Sequence, residues 1–507
     1  MSGRFRYSYI KILSNIKKPQ KYTCNYYNFE YNKYCRQVKE RNIMKKFVNR
    51  TKELEALENQ YKSKDSALII VYGRRRVGKT SLINEFLKRH KDTLYFLATE
   101  ESEMQNLNAF KLQIAEYTNN ELLKSANVDW LTVFKTLVNY KTETKKIIVM
   151  DEFQYIGKAN SAFPSIMQKV WDTLLVNENI MLILCGSLIS LMKSQTLDYG
   201  SPLYGRRTAQ IKLKQIAFKH YREFYNDMTE EELVPFYAVT GGVPKYIEVF
   251  RDYNDVYKAI QENVLNNQSF LYEEPYFLLQ REVSEIGSYF SLIKTIAMGN
   301  RKLSEIASSL NMKATSLTKY LKVLTDLDLI EREVPATEVS SEKSKSGLYR
   351  ITDNYIAFWF KYIYPYRSYL EKGEHEYVMT KIKEGFIQNF AAFVYEDVCR
   401  EKMWELSAKG KTLSFEKVGR YWGNKAGEID IVAISNEENN LILGECKYTK
   451  KEKGLELLHT LQDKTPAIVA LTGAQNVQYV IFSTEGFTKG LQDEAKKNPN
   501  LILIDNL

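Results

Sequence analysis

The chain has 507 residues, of which 44% are hydrophobic and 26% are charged, with a formal net charge of +10. This composition is typical of folded domains and excludes a collagen-like or wholly disordered chain, and no apolar run approaches the roughly 20 residues that a membrane-spanning helix needs. The five cysteines form no CxxC pair and have no nearby histidine cluster, which argues against a disulfide scaffold or structural zinc and favours a reducing cytoplasm.

The positive charge is concentrated in residues 1–43, which contain ten lysines and arginines against two glutamates. The same segment contains seven tyrosines and shows no helical or strand period. The rest of the chain carries a net charge of only +2, so overall charge says little about the partners of the folded part. Two interpretations of this segment stay open: a disordered basic tail, or residues upstream of a true translation start at Met44.

A phosphate-binding loop follows the first apolar run of the chain. Residues 67–72 predict a buried strand, and they lead into GRRRVGKT at 73–80, a GxxxxGK[ST] motif followed by a helical pattern. Glycines let the backbone wrap closely around phosphate groups, and the helix N-terminus adds positive potential. The predicted nucleotide-binding residues of this segment are Gly73, Arg74, Arg75, Arg76, Val77, Gly78, Lys79, Thr80 and Ser81.

Lys79 is predicted to reach the β and γ phosphates, and Thr80 to offer its hydroxyl to Mg²⁺. A second apolar strand, residues 146–150, ends in Asp151 and Glu152. In P-loop proteins the first acid holds Mg²⁺ and the second polarises the attacking water. Lys79, Asp151 and Glu152 are therefore the predicted catalytic residues, Thr80 and Asp151 are the predicted metal ligands, and ATP and Mg²⁺ are the predicted cofactors.

These motifs resemble those of the archaeal-type ATPases, which belong with the STAND branch of AAA-like P-loop proteins. The resemblance covers residues 44–250, and it rests on FVNRTKEL at 47–54, the loop at 73–80, DEFQ at 151–154, CGS at 185–187, YGRR at 204–207 and TGGVPKY at 240–246. It implies a P-loop ATPase domain at 44–215 and a helical lid at 216–285. The GGxP signature implies that Pro244 packs near the nucleotide base.

Residues 302–334 predict two helices joined by a turn and followed by a strand, because apolar residues stripe each helix. A second strand at 347–351 lies beyond a polar tip. The pattern resembles a winged helix-turn-helix at 286–352, whose second helix would enter a DNA major groove. Winged helices of this ATPase group also bind protein, so both kinds of partner stay open.

The last 155 residues, 353–507, contain a predicted β-hairpin with alternating strands at 427–433 and 441–448. Glu445 and Lys447 point to the same face of their strand, and Asp430 would lie beside them. Two carboxylates that share a divalent ion, with a lysine near the attacking water, make a phosphodiesterase site. Asp430, Glu445 and Lys447 are therefore predicted to be catalytic.

The order of elements in 353–507 resembles the PD-(D/E)XK restriction-endonuclease-like fold, and also the domain of uncharacterised function that often follows archaeal-type ATPases. The resemblance implies that Glu396, on the preceding helix, joins Asp430 and Glu445 as a metal ligand. The expected fold class is a multidomain α/β protein: a parallel P-loop NTPase sheet with a helical lid, a winged helix-turn-helix and a restriction-endonuclease-like α/β domain.

The expected function is an ATP-hydrolysing switch coupled to a winged helix and to a metal-dependent nuclease acting on nucleic acid, with DNA preferred. Two alternatives stay open: an ATP-controlled DNA-binding regulator without nuclease activity, and a STAND-like signalling scaffold. An oligomer is compatible with either, and no membrane association is expected.

Overall fold

The two apolar runs identified at 67–72 and 146–150 form strands of one parallel sheet, in a computed structural model that describes residues 47–225, 227–408 and 413–506. The sheet has the order β2-β3-β4-β1-β5, with β1 at Ala67–Tyr72, β2 at Thr93–Leu97, β3 at Lys146–Asp151, β4 at Ile180–Gly186 and β5 at Ala209–Lys212. β1, β3 and β4 are buried along their whole length, as central strands covered on both faces must be. Their carboxyl ends therefore meet at one edge. The predicted basic segment 1–43 lies outside the described residues.

Helices connect these strands and cover the sheet. They are α1 (Thr51–Lys62), α2 (Lys79–Leu87), α3 (Glu103–Tyr117), α4 (Glu121–Ser125), α5 (Trp130–Asn139), α6 (Gln154–Ala159), α7 (Phe163–Val170) and α8 (Ile189–Met192). Local sequence fixes several of their starts: a Ser102–Gln105 capping box begins α3, and the Asp129 side chain caps α5.

A helical region follows β5. It contains a 3-10 turn (Phe218–Phe224), α9 (Glu230–Thr240), α10 (Pro244–Phe250), α11 (Val256–Ile260) and α12 (Glu274–Glu282). Between α9 and α10 the backbone of Gly242 lies so close to Ile216 that an added Cβ would fall 1.8 Å from the Ile216 carbonyl oxygen. Only glycine permits this approach, which fixes the helical region against the segment that leaves β5.

The next segment contains α13 (Ile286–Ala297), α14 (Leu303–Ser309), α15 (Ala314–Asp326) and the antiparallel strands β6 (Ile330–Glu333) and β7 (Leu348–Ile351). The predicted order of helix, turn, helix and strand is thus present. The loop between β6 and β7 is not the free polar tip that the sequence suggests. The Ala336 N–H donates to the Arg420 carbonyl oxygen at 2.8 Å, and the Trp422 indole donates to the Ser346 carbonyl oxygen at 3.1 Å.

The chain ends in a second, mixed sheet with the order β12-β11-β10-β9-β8. Its elements are α16 (Asn354–Phe358), α17 (Arg367–Glu371), α18 (His375–Phe386), α19 (Ala392–Ala408), β8 (Lys417–Gly423), β9 (Gly427–Ser435), β10 (Asn440–Lys447), α20 (Leu455–Thr472), β11 (Asn476–Ser483), α21 (Lys489–Lys497) and β12 (Leu501–Ile504). β8, β9 and β10 are antiparallel, whereas β10, β11 and β12 run parallel. The expected α/β class, with a parallel P-loop sheet and a separate C-terminal sheet, is confirmed.

One element packs differently from expectation. The predicted C-terminal domain begins at residue 353, but α16 and the π-helical turn after it pack into the preceding helical region. The Trp359 indole donates to the Tyr272 carbonyl oxygen at 2.7 Å, and the Asn354 side chain donates to the Tyr237 carbonyl oxygen at 3.0 Å. Residues Val48–Leu507 accordingly form one compact unit.

Candidate functional site

The loop between β1 and α2 has the geometry of a phosphate cradle. Gly73 and Gly78 have positive φ angles, and an added Cβ on Gly73 would lie 2.3 Å from the Leu213 carbonyl oxygen. The buried Lys79 ammonium donates to the carbonyl oxygens of Gly73 and Arg74 at 2.8 and 2.9 Å. Burial lowers the pKa of Lys79, although neighbouring acidic groups oppose that shift. The lysine therefore lies across its own loop, in reach of a phosphate bound there.

The predicted Mg²⁺ ligands are brought together at the same sheet edge. The Thr80 hydroxyl donates to Asp151 Oδ2 at 3.2 Å, and the phenol of Tyr95 donates to the same oxygen at 2.5 Å. A hydroxyl and a carboxylate are the hard oxygen donors that Mg²⁺ prefers, so these residues fit the ion. Tyr95 is a site residue that the sequence analysis missed; its only signal is the short apolar pattern of β2.

Glu152 is held by residues at the ends of two neighbouring strands. Its Oε2 accepts from the Ser187 hydroxyl at 2.8 Å and from the Gln154 amide at 2.5 Å. Its backbone has a φ of 54°, a left-handed conformation that is uncommon for a residue with a side chain and is typical of functional sites. The Ser187 N–H also donates to Glu152 Oε2 at 3.3 Å, so the carboxylate that sequence analysis assigns to the attacking water is fixed by three neutral donors.

A cavity of about 280 Å³ opens beside the phosphate loop. Arg75, Ser187, Arg281 and Glu282 contribute to its lining, so the loop, the end of β4 and α12 all reach it. Glu282 Oε1 accepts from the Ile189 N–H at 3.2 Å, and burial raises the pKa of this carboxyl to about 7. Neither Arg281 nor Glu282 was identified from the sequence.

Two further contacts tie the loop to its surroundings. The Arg50 guanidinium donates to the carbonyl oxygens of Val77 and Lys214 at 3.0 and 2.7 Å. Pro244 Cγ lies 3.8 Å from the position that a Cβ on Gly78 would take, so the predicted lid proline borders the loop. Arg74 Nε is buried without a hydrogen-bond partner among the described residues. A glycine-flanked loop at a helix N-terminus fits an anionic phosphate chain.

The predicted C-terminal residues also come together. β9 and β10 pair as a hairpin, and Asp430 Oδ2 accepts from the Cys446 N–H at 2.9 Å. The Lys447 ammonium lies 2.6 Å from Glu445 Oε2 and 3.6 Å from Asp430 Oδ2. Burial lowers the pKa of Lys447, but the two carboxylates outweigh it and the net shift is upward. Lys447 is thus a bridge between both acids.

Glu396 and Lys464 complete the surroundings of this hairpin. Burial and the nearby Asp430 raise the pKa of Glu396 to about 8, while Arg400 and Arg420 lie 3.8 and 3.9 Å from its Oε2. The ammonium of Lys464, on α20, lies 3.4 Å from Glu445 Oε1. The sequence analysis missed Lys464 because it is distant in sequence from Glu445 and Lys447. Within residues 47–225, 227–408 and 413–506 no group of three or more histidine, cysteine or acidic residues is arranged to hold a metal ion. Asp430 and Glu445 are therefore paired with lysines here.

The helix predicted to enter a DNA major groove, α15, has exposed lysines at its N-cap and on its outer face. Lys313, Lys319 and Lys322 are exposed, whereas Leu317 and Leu321 are buried on the opposite face. The three lysines have no ion-pair partner within the described part of the chain. Among those same residues, no helix combines the length and apolar character that spanning a membrane requires.

Comparison with known proteins gives two family matches, one in the N-terminal part of the chain and one in the C-terminal part. Residues 47–250 match the family described as an ATPase domain predominantly from Archaea, and residues 359–457 match a family of archaeal and bacterial proteins of unknown function. An uncharacterised protein of Methanocaldococcus jannaschii is 34% identical over 465 residues, which is 90% of this chain and 99% of the relative. An uncharacterised ATP-binding protein of the same organism is 58% identical over 45 residues, 9% of this chain and 76% of that protein.

A similar fold occurs in the Walker-type ATPase of Pyrococcus abyssi. The two chains share 20% sequence identity with a TM-score of 0.50, over 62% of this chain and 96% of the Pyrococcus chain. At this level of identity the similarity concerns the fold alone.

Proposed function

This chain belongs to the family of ATPase-domain proteins found predominantly in Archaea, and on that premise we propose that it is an ATP- and Mg²⁺-dependent switch that controls a nucleic-acid-directed C-terminal half. The observation that carries the ATP part is the convergence of Lys79, Asp151 and Glu152 at one edge of the parallel sheet. Lys79 comes from the loop after β1 and the two acids come from the end of β3, and each side chain matches one requirement of phosphoryl transfer.

The roles follow from the contacts. Lys79 neutralises the β and γ phosphates, and Thr80 and Asp151 hold Mg²⁺, which supplies charge neutralisation when bound. Glu152, fixed by Ser187 and Gln154, accepts a proton from the attacking water. Ser187 lines the cavity beside the loop, and on this proposal its hydroxyl contacts the γ phosphate.

Binding of radiolabelled ATP and phosphate release, measured with and without Mg²⁺, test this proposal. We expect Lys79→Ala to weaken ATP binding at least about 100-fold, because the only ammonium in the loop is lost. Glu152→Gln keeps ATP binding within about threefold of wild type and slows hydrolysis at least about 100-fold, because binding contacts stay and the proton acceptor is lost. Wild-type protein that neither binds nor hydrolyses ATP would refute the proposal.

For the C-terminal half we propose a winged helix that contacts DNA through α15 and a metal-dependent nuclease site at Asp430, Glu445 and Lys447. The exposed lysines of α15 support the first part, and the shared face of the three hairpin side chains supports the second. Cleavage of a labelled DNA or RNA duplex with Mg²⁺ or Mn²⁺ tests the nuclease directly.

One observation favours a second candidate, an ATP-controlled nucleic-acid-binding regulator without cleavage. Both carboxylate oxygens of Glu445 already face ammonium groups, Lys447 on one side and Lys464 on the other. A carboxylate neutralised in this way needs no metal, and the paired lysines suit a phosphate backbone. Salt-dependent DNA binding without metal-dependent cleavage would select this candidate.

A further inference from the structure

Two of the three consecutive arginines in the phosphate loop are tied to segments far along the chain. Arg74 Nη1 lies 2.5 Å from Asp353 Oδ2, across a separation of 279 residues. Arg76 pairs with Glu274 of α12 and stacks on the Phe270 ring, with its Cζ 4.4 Å from the ring centroid. Arg75, between them, is exposed and has no ion-pair partner among the described residues.

The Arg74–Asp353 pair is buried on both sides. Arg74 is 5% exposed and Asp353 is 1% exposed. The remaining capacity of the carboxylate is also used: the Gln215 amide donates to Oδ2 at 2.7 Å, and the Ile356 N–H donates to Oδ1 at 2.7 Å. An ion pair this deeply buried persists only where hydrogen bonds satisfy its groups, and losing one partner leaves an uncompensated charge.

This pair acts directly on the atoms that hold phosphate. The carbonyl oxygen of Arg74 accepts from the Lys79 ammonium at 2.9 Å, so fixing the Arg74 side chain also fixes one of the two oxygens that position Lys79. The other end of the pair is the N-cap of α16. Asp353 therefore joins the nucleotide loop to the first helix after β7 through one carboxylate.

We infer that Asp353 is a positioning residue of the ATP site, acting through Arg74 on the geometry of the phosphate loop. The ATPase domain is then incomplete without the segment that follows β7, and ATP affinity depends on whether α16 holds Asp353 against Arg74. By linkage, ATP binding stabilises the packing of α16 against the loop by the same free energy that this packing adds to ATP binding. The inference rests on the proposed ATP-binding function and adds a residue outside the ATPase family match at 47–250.

The test compares KM and kcat for ATP hydrolysis by the full chain in Mg²⁺. Asp353→Asn removes the charge but keeps a good N-cap, so α16 stays capped. Asp129→Asn is the matched control, because Asp129 caps α5 in the same way and contacts no loop residue. We expect Asp353→Asn to raise KM at least about tenfold with kcat within about threefold, since Glu152 and Asp151, which act on the attacking water and the metal, keep their own hydrogen-bond partners. Asp129→Asn should leave both parameters within about twofold of wild type.

A role that is only structural would lower the folded, active fraction, and so reduce kcat without changing KM.

A double-mutant cycle adds a second readout: Arg74→Gln should raise KM like Asp353→Asn, and the double variant should raise it no further, because both act through one pair. Gln215→Ala removes one bond to the carboxylate, together with the bond that Gln215 Oε1 accepts from the Gly242 N–H. It should give a smaller rise in KM, and it keeps the test available if Asp353→Asn does not fold. An unchanged KM in folded Asp353→Asn or Arg74→Gln, or additive effects in the cycle, would overturn the inference. Wild-type protein without ATPase activity or ATP binding would instead overturn the proposed function.

Discussion

Glu282 is a buried carboxyl beside the phosphate loop, and its ionisation should be visible in the stability of the protein. Burial raises its pKa to about 7, above the value of about 4.5 expected in the unfolded chain. A raised folded-state pKa means that folding favours the protonated form, so this stabilisation is present at low pH and is lost as the pH rises through 7. Glu282→Gln keeps an acceptor for the Ile189 N–H and removes the charge.

We therefore expect Glu282→Gln to stabilise the nucleotide-free protein at pH 8 relative to wild type, and to do so much less at pH 5.5. The difference between the two pH values should be about 1–2 kcal/mol in the free energy of unfolding, measured by urea denaturation. Glu416→Gln, at an exposed site whose carboxyl pKa is lowered by backbone N–H donors, is a control that should not gain stability at pH 8. Equal effects of Glu282→Gln at both pH values would show that Glu282 ionises normally.

Site residues that lie close together in sequence could be predicted, and those joined only by the fold could not. The P-loop residues form one contiguous motif, and Asp151 and Glu152 end a recognisable strand. The ion-pair partner of Arg74 could not be predicted, because Asp353 lies 279 residues away and its local sequence indicates only a helix cap. Lys464 was missed for the same reason: α20 brings it to Glu445, and no local spacing records that contact.

At the level of elements, the β9–β10 hairpin carries a prediction about metal binding. Mn²⁺ without nucleotide should raise the melting temperature of the full chain, because it would replace Lys447 between two carboxylates and add ligand-binding free energy. Asp430→Asn should remove most of the rise. Asp151→Asn is the matched control for the second metal site and should keep it. A rise that depends on Asp151 alone would assign the metal effect to the ATPase site and leave the hairpin without a metal.

Helix α15 carries a separate prediction about nucleic acid. Lys319→Ala and Lys322→Ala should each weaken duplex DNA binding and reduce the slope of log affinity against log salt by about 1, because each phosphate contact releases counterions. Lys135→Ala, on the exposed face of α5, is the control and should change neither quantity. Fluorescence anisotropy over a range of salt concentrations measures both. Lysine variants with an unchanged salt slope would show that this face of α15 does not contact the DNA backbone.

The limits of elements were harder to predict than their existence. The strands ending at Tyr72 and Asp151 were recognised because they are continuous apolar runs. The end of α20 is one example, because this helix continues through Pro466 to Thr472. A proline normally disfavours such continuation because it removes one backbone hydrogen bond. Here the crossover from β10 to the parallel strand β11 needs a long helix on the face of the sheet, and this tertiary requirement outweighs the local preference.

At the scale of the whole molecule, polar contacts connect the ATPase half to the C-terminal sheet at several points. Arg350 of β7 lies 2.7 Å from Asp397 of α19, and Lys219 lies 3.7 Å from Glu405 of the same helix. The Tyr448 phenol donates to the carbonyl oxygen of Glu231, in the first turn of α9, at 3.0 Å. None of these contacts was predictable, because each joins separate sequence segments. They are the physical basis on which a nucleotide-dependent helical region could act on the hairpin.

Tyr448 offers the sharpest test of that coupling, since it directly follows Lys447 and its hydrogen bond reaches α9. If ATP moves the helical region, the change should pass to β10 through this bond, and hydrogen exchange of the amides at 443–448 should differ with and without ATP and Mg²⁺. Tyr448→Phe removes only the hydroxyl, so we expect it to keep ATP affinity within about twofold and to lose at least about half of the ATP-dependent difference in exchange. Tyr199→Phe, at an exposed ring that is 88% accessible, is the matched control and should behave as wild type. An ATP-dependent difference that is unchanged in Tyr448→Phe would place the coupling elsewhere, with the Arg350–Asp397 pair as the next contact to break.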